Sequence, residues 1–232
     1  MTYVQRPKAF LFDMDGLLLD TERMFLDAFL EITAEIGIPE PSAKSFFLDL
    51  VGTSSKVTTA RLDAFLPTDI DRDAFDHEWR NRHAKNVENG IPVKPYAVQL
   101  LTAIQAKGVP IAVVTSTNAA PAHHHLDHAG LLSFFETICA GDEVPANKPD
   151  PAPYLIAAKC LGVEATSCVA FEDSDLGTTA AVRAGCKTFQ IPDLRPVDKS
   201  LPDLGQVVVQ NLGQAGVKLG LFDPALTSSE QL

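Results

Sequence analysis

The sequence predicts an α/β protein: a parallel sheet with helices on both faces, interrupted just after its first strand by an all-helical insert. Three observations carry this reading. Short, continuous apolar runs such as residues 9–12 and 110–114 stop abruptly at polar residues, the pattern of strands buried on both faces. Beyond Pro95 such runs alternate with helical periodicities, which implies right-handed βαβ units. Between about residues 20 and 92 the periodicities are helical alone.

Taken in order, residues 9–12 form a strand that runs into Asp13-Met14-Asp15-Gly16. Residues 22–36 repeat Phe25, Leu26, Phe29, Leu30, Ile32 and Ile36 at helical spacing, and Gly37 and Pro39 stop that helix. Helices follow at 44–50, 56–66 and 71–89, separated by Gly52, Pro67 and Asp69; Gly90, Pro92 and Pro95 mark a linker. Then come a helix at 96–107, a strand at 110–114, a helix at 119–129, a strand at 137–140 and a helix at 153–161. A strand at 167–171, a helix at 176–184 and strands at 186–191 and 207–209 complete the pattern. The expected organisation is a discontinuous core, 1–19 and 93–232, carrying a helical domain at 20–92.

The 232 residues are 46% hydrophobic and 21% charged, enough to bury one substantial core and a smaller second one. Thirty acidic residues against 19 Lys and Arg give a formal net charge of -11. That excess repels nucleic acid and anionic membranes, so neither is expected as a partner, and no obligate protein partner is evident. A phosphate group can still bind where cations gather or a metal is recruited. No run is long enough for a signal-peptide core or a membrane span. Cys139, Cys160, Cys168 and Cys186 form no CxxC pair and have apolar neighbours; they read as buried thiols of a reducing, cytoplasmic compartment.

Asp13 and Asp15, Thr115, and Glu172 with Asp173 all follow predicted strands, and Lys148 precedes a helix. Ligands of open parallel sheets bind beyond the carboxyl ends of the strands, so these residues should meet at one edge. Gathered carboxylates repel one another and resist desolvation, a conflict that a hard divalent cation removes. Magnesium suits a few carboxylates plus water and a substrate phosphate. Lys148 and Thr115 supply a cation and a hydroxyl for phosphate oxygens, and Gly16 leaves room for close approach. A carboxylate nucleophile can form an aspartyl phosphate, dividing one hard displacement into two easier ones.

Asp13-Met14-Asp15-Gly16, Thr115 after Ile111-Ala112-Val113-Val114, Lys148 in Asn147-Lys148-Pro149, and Phe171-Glu172-Asp173-Ser174 resemble, in order and separation, the four motifs of haloacid dehalogenase-like phosphotransferases across residues 8–192. The resemblance implies a Rossmann-like core with a mobile helical cap, and Mg2+ as cofactor. It implies Asp13 as nucleophile and metal ligand. Asp15 would be the acid and base, its backbone carbonyl on the metal. Thr115 and the Ser116 backbone would hold phosphoryl oxygens, and Lys148 would pair with Asp13 and the phosphoryl group. Asp173 would bind the metal, and Glu172 would do so directly or through water. Asp15 favours phosphoryl transfer over dehalogenation, since an alkoxide leaving group needs a proton and a halide does not.

Each signal has a plainer reading. An Asp-x-Asp-Gly loop alone is more often a solvated turn, and a lone Lys148 a surface lysine. Thr115 alone could be a helix cap. His123, His124 and His125 point about 100° apart on a helix and do not close on one ion; a solvated face is the better reading, as it is for Arg80, Arg82 and His83. The nearest relative reaction is that of β-phosphoglucomutase. In the mutase-like loop at residues 50–56, whose Gly52, Thr53, Ser54, Ser55 and Lys56 are the expected substrate cap loop, Val51 and Ser55 stand where the mutase has basic residues, and Phe25 stands where it has a cap-side histidine. The expected activity is therefore hydrolysis of a small phosphorylated metabolite, with phosphoglucomutase-like transfer and a non-catalytic phosphate-binding scaffold as alternatives. The second linker departs from the family pattern: Tyr96-Ala97 follows Pro95 where glycine is usual.

Overall fold

A computed structural model describes residues 6–51, 55–195 and 199–223, with residues 55–57 described by their backbone alone. The first strand, β1 (Ala9–Phe12), is followed by four helices: α1 (Thr21–Glu35), α2 (Glu40–Leu50), α3 (Ser55–Phe65) and α4 (Arg72–Glu88). Then come α5 (Ala97–Gln105), β2 (Ile111–Val114), α6 (Ala119–His128), β3 (Thr137–Cys139), α7 (Ala152–Cys160) and β4 (Cys168–Glu172). The chain continues through α8 (Asp175–Arg183), β5 (Lys187–Gln190), β6 (Val207–Val208) and α9 (Leu212–Lys218). None of these helices is long and apolar enough to cross a membrane.

The chain divides into two compact units: Met1–Leu19, Pro92–Asp193 and Leu201–Leu232 form one, and Asp20–Ile91 with Leu194–Ser200 the other. The sequence puts residues 194–200 in the core; of the described residues there, Leu194, Arg195, Lys199 and Ser200 group instead with the helices, where Leu194 packs against the aromatic cluster.

In the first unit all strand pairs are parallel, in the order β3-β2-β1-β4-β5-β6. The first strand in sequence is thus flanked by β2 on one side and β4 on the other. Strand alternation gives the sheet two different faces. Ala9 and Leu11 of β1, Ala112 and Val114 of β2, and Ala170 of β4 pack with Tyr154, Ala157, Ala158, Ala180 and Ala181 of α7 and α8. Phe10 and Phe12, on the opposite face, stack on Phe171, which stacks on Phe189. Small side chains on the first face let α7 and α8 come close; α7 follows the loop that carries Lys148, and α8 the loop that carries Asp173.

The helical unit is held by aromatic packing. Phe29 contacts Phe46, Phe47, Phe65, Phe75 and Trp79, and the Trp79 indole N–H donates to the Phe25 carbonyl at 2.8 Å. Phe25 stacks on Trp79 with centroids 4.0 Å apart. Arg82, expected on a solvated face, joins α4 to α1 there through Glu35 at 2.6 Å and holds Glu78 at 3.0 Å.

Two features lie outside what periodicity conveys. Helix α9 has two internal glycines and a weak helical signature; burial of Leu212 and Ala215 and the Asn211 cap on the Gln214 N–H outweigh that. Tyr96, where the family usually has glycine, takes φ 67° at the start of α5. A tyrosine pays a steric penalty in that left-handed region that glycine avoids. The cysteine expectation needs one correction: Cys139, Cys168 and Cys186 are buried, but Cys160, at the end of α7, is exposed. Burial raises the buried thiols to about 11, 11 and 12 respectively.

Candidate active site

The four sequence motifs converge at the carboxyl ends of β1, β2 and β4. The Asp13 N–H donates to the Phe171 carbonyl of β4 at 3.0 Å, extending the β1–β4 ladder to the first aspartate. The Thr115 N–H likewise donates to the Cys139 carbonyl of β3. Glu172 is the last residue of β4. The sheet hydrogen bonds themselves therefore place these side chains at one edge, where β1 is flanked by strands reached in opposite directions.

After Asp13 the chain turns sharply. Gly16 has φ 80°, its N–H donates to the Leu19 carbonyl, and Leu18 and Leu19 N–H groups share the Met14 carbonyl. A Cβ on Gly16 would lie 2.5 Å from Asp173 Oδ2, so glycine is required both for the turn and for Asp173 to approach.

Lys148 crosses from its loop into the middle of the acidic group. Its ammonium donates to Asp13 Oδ1 at 2.5 Å and to the Val114 carbonyl at 2.9 Å, and lies 2.7 Å from Glu172 Oε1. Burial drives Asp13 well above the usual carboxylate range; Lys148 pulls it back, and Glu172 and Asp15 push it up further. Burial alone would lower the Lys148 ammonium, but attraction to Asp13 and Glu172 outweighs it, and the net shift is upward. Lys148 is therefore a permanent cation.

Glu172 is fully buried. The Tyr154 hydroxyl donates to its Oε1 and the Ser174 hydroxyl to its Oε2. Ser174 also caps α8 by accepting from the Gly177 N–H. Gly177 is needed here, since a Cβ would come within 2.1 Å of the Glu172 carboxylate. Both Glu172 oxygens are thus engaged by protein groups. Asp15 is held by Thr115 Oγ1 at 3.3 Å and Thr117 Oγ1 at 2.7 Å, both donating to its Oδ2. Thr115 is buried, and Ser116 beside it is exposed.

The structure thus brings Asp13, Asp15, Thr115, Lys148, Glu172 and Asp173 to one place, with Ser116 adjoining. Gly52, Thr53 and Ser54 of the expected substrate loop lie outside the described residues, and Ser55 and Lys56 are described only as the first turn of α3. Two contributors were not read from the sequence. Thr117 stands two residues beyond Thr115, a spacing that a turn can fold back. Tyr154 is the polar residue in the otherwise small and apolar face of α7.

The residues present fit a divalent cation. Ligand oxygens of Asp13, Glu172 and Asp173 lie within 4.8 Å of one another, and the Gly16 cradle admits Asp173. Lys148 alone does not balance those carboxylates, and all-oxygen donors suit a hard ion such as magnesium.

The chain matches the family described as haloacid dehalogenase-like hydrolases over residues 10–191. It is 35% identical over 187 residues to YhcW of Bacillus subtilis, provisionally named a phosphatase, covering 80% of this chain and 84% of that one. It is 30% identical over 187 residues to the fructose-1-phosphate phosphatase YqaB of Escherichia coli, covering 81% and 97%. A crystal structure of a provisionally named β-phosphoglucomutase from Thermotoga maritima aligns with a TM-score of 0.74 at 26% identity, covering 88% and 94%. The chain belongs to the haloacid dehalogenase-like hydrolase family. It is an enzyme, grouped with that family's phosphatases.

Proposed function

We propose that the protein hydrolyses small phosphomonoesters, sugar phosphates or similar metabolites, through an aspartyl phosphate formed on Asp13. The observation that carries this reading is the Lys148–Asp13 pair, set beside an aspartate whose Oδ2 is anchored by two hydroxyls. An Asp13 oxygen attacks phosphorus while the ester P–O bond breaks. Asp15 Oδ1 delivers a proton to the departing alkoxide. Water then attacks the aspartyl phosphate, Asp15 takes its proton, and the P–O bond to Asp13 breaks to release inorganic phosphate. This divides the reaction between nucleophilic and acid–base catalysis.

Lys148 aligns Asp13 and balances charge gathering on the phosphoryl oxygens, with Thr115 and the Ser116 backbone as further donors. Asp13, Asp173 and the Asp15 carbonyl would hold Mg2+, which when bound neutralises phosphoryl oxygens. Glu172, engaged by Tyr154, Ser174 and Lys148, serves chiefly to orient Lys148. Phe25 stacks on Trp79 within the helical unit, an apolar role that favours hydrolysis over mutase chemistry. We assign selection of the leaving group to the helical unit, including the loop of Gly52, Thr53, Ser54, Ser55 and Lys56. The net charge of -11 supports a small metabolite rather than nucleic acid as the partner, and the free thiols suit the cytoplasm.

The test is hydrolysis of an aryl phosphate, with Mg2+ or with chelator, by the parent and Asp13→Asn. The parent should turn over only with Mg2+, and excess Ca2+ should inhibit, because calcium prefers more ligands at longer distances. Asp13→Asn should fold normally and be inactive. Parent-like turnover by that variant, or full parental activity in chelator, would overturn the mechanism.

A further inference from the structure

The acidic end of the site extends beyond the residues assigned so far. Asp193 follows β5 in the core unit, and its side chain is 8% exposed. Its Oδ1 accepts a hydrogen bond from Lys94 Nζ at 2.7 Å, whereas its Oδ2 is buried with no hydrogen-bond partner among the described residues. That second oxygen faces Gly16: a Cβ there would lie 3.4 Å from Asp193 Oδ2 and 2.5 Å from Asp173 Oδ2. Two carboxylates from different loops therefore close on one glycine of the 13–19 loop.

Lys94 is tied to the same loop through the backbone. Its N–H donates to the Leu18 carbonyl at 2.9 Å, and Val93 bridges Leu19, whose carbonyl accepts the Gly16 N–H at 2.8 Å. A buried carboxylate oxygen beside a second carboxylate is unfavourable unless a strong donor reaches it. Magnesium dehydrates reluctantly, and its retained waters are such donors. Groups that bind a metal's waters or orient its ligands commonly control affinity.

We propose that Asp193 is a positioning residue of the metal site, its Oδ2 accepting a hydrogen bond from water on the divalent cation, with Lys94 holding it in place. The proposal rests on the preceding reading in one respect, that a divalent cation binds at Asp13 and Asp173. It adds two residues, Lys94 and Asp193, from outside the four motifs.

The experiment measures Mn2+ affinity of the substrate-free protein by the electron paramagnetic resonance of unbound Mn2+. Thermal unfolding of the metal-free proteins is followed in parallel. Asp193→Asn should weaken binding about 10- to 100-fold, the range for losing a group that supports a metal site from outside its ligands. Lys94→Met is the sharper variant. Removing a positive charge near a cation site should tighten binding if charge alone matters. Loss of positioning should weaken it roughly several-fold, and Lys94→Arg should restore it. Unchanged affinity in a folded Asp193→Asn, or tighter binding by Lys94→Met, would overturn the proposal and leave the pair a structural tie. If Asp193→Asn does not fold, the two Lys94 variants decide. If the parent itself binds no Mn2+, the metal reading above falls with this one, so the two failures are distinguishable.

Discussion

Lys148→Met is expected to destabilise the metal-free protein by about 3–5 kcal/mol at neutral pH, the range for stripping one partner from a buried ion pair. The Lys148 ammonium lies 2.5 Å from Asp13 and 2.7 Å from Glu172, with side chains 6%, 9% and 0% exposed. Each attraction is worth about 6 kcal/mol at an effective dielectric near 20. Dehydrating the three ions offsets most of that in the parent, but the variant keeps the two dehydrated carboxylates and loses their cation. Methionine retains much of the apolar stem, so the change isolates the charge.

The pH dependence gives this prediction a second signature. Burial already raises Asp13 well above the usual range, and the variant loses the Lys148 attraction that opposes the rise. A carboxyl raised in the folded state contributes stability below its unfolded value of about 4, and loses it as pH rises through the folded value. The deficit of Lys148→Met should therefore grow as pH rises from the parent's folded value toward the variant's still higher one. Urea unfolding of both proteins in chelator, at about pH 5 and pH 7.5, reads this directly. A deficit under about 1 kcal/mol at the higher pH, or one that shrinks as pH rises, would refute the argument that Lys148 neutralises a buried carboxylate pair.

Two further outcomes follow from the packing and the thiols. Gly177→Ala should lower stability by about 1–3 kcal/mol, because its Cβ would come within 2.1 Å of the Glu172 carboxylate. Helix propensity by itself predicts a gain from that substitution, so a rise in melting temperature would sink the packing argument. In the native protein at about pH 8, a thiol reagent should modify Cys160 alone, since the other three cysteines are buried and raised to about 11, 11 and 12. Those raised values also make stability fall as pH climbs from about 9 through the folded values, because unfolded thiols ionise first. Rapid labelling of more than one thiol without denaturant would contradict the burial of Cys139, Cys168 and Cys186.

Much of the fold was legible because its signals are local. The apolar run Ala9–Phe12 is short and broken by Asp13, so it reads as a strand whose end carries chemistry. Phe25, Leu26, Phe29 and Ile32 recur at helical spacing because one face of α1 is buried. Asp13, Asp15, Thr115, Lys148, Glu172 and Asp173 could be singled out because each follows a recognisable strand or lies in a proline-marked loop, and parallel strands all end at the same edge. Periodicity did not give α9, whose glycines hide a helix that packing stabilises.

What tertiary structure alone decided is how these groups share their charges and hydrogen bonds. A sequence shows that Glu172 is acidic and Tyr154 aromatic, but not that they meet 18 residues apart, or that Glu172 is fully buried with both oxygens engaged. It does not show Thr117 reaching back to Asp15 across 102 positions. Nor does it show Asp193 facing the glycine beside Asp173, or Leu194 leaving the sheet for the helical unit. Period and propensity act over a few residues, whereas burial and pairing of a charge depend on what the whole fold brings within a few ångströms of it.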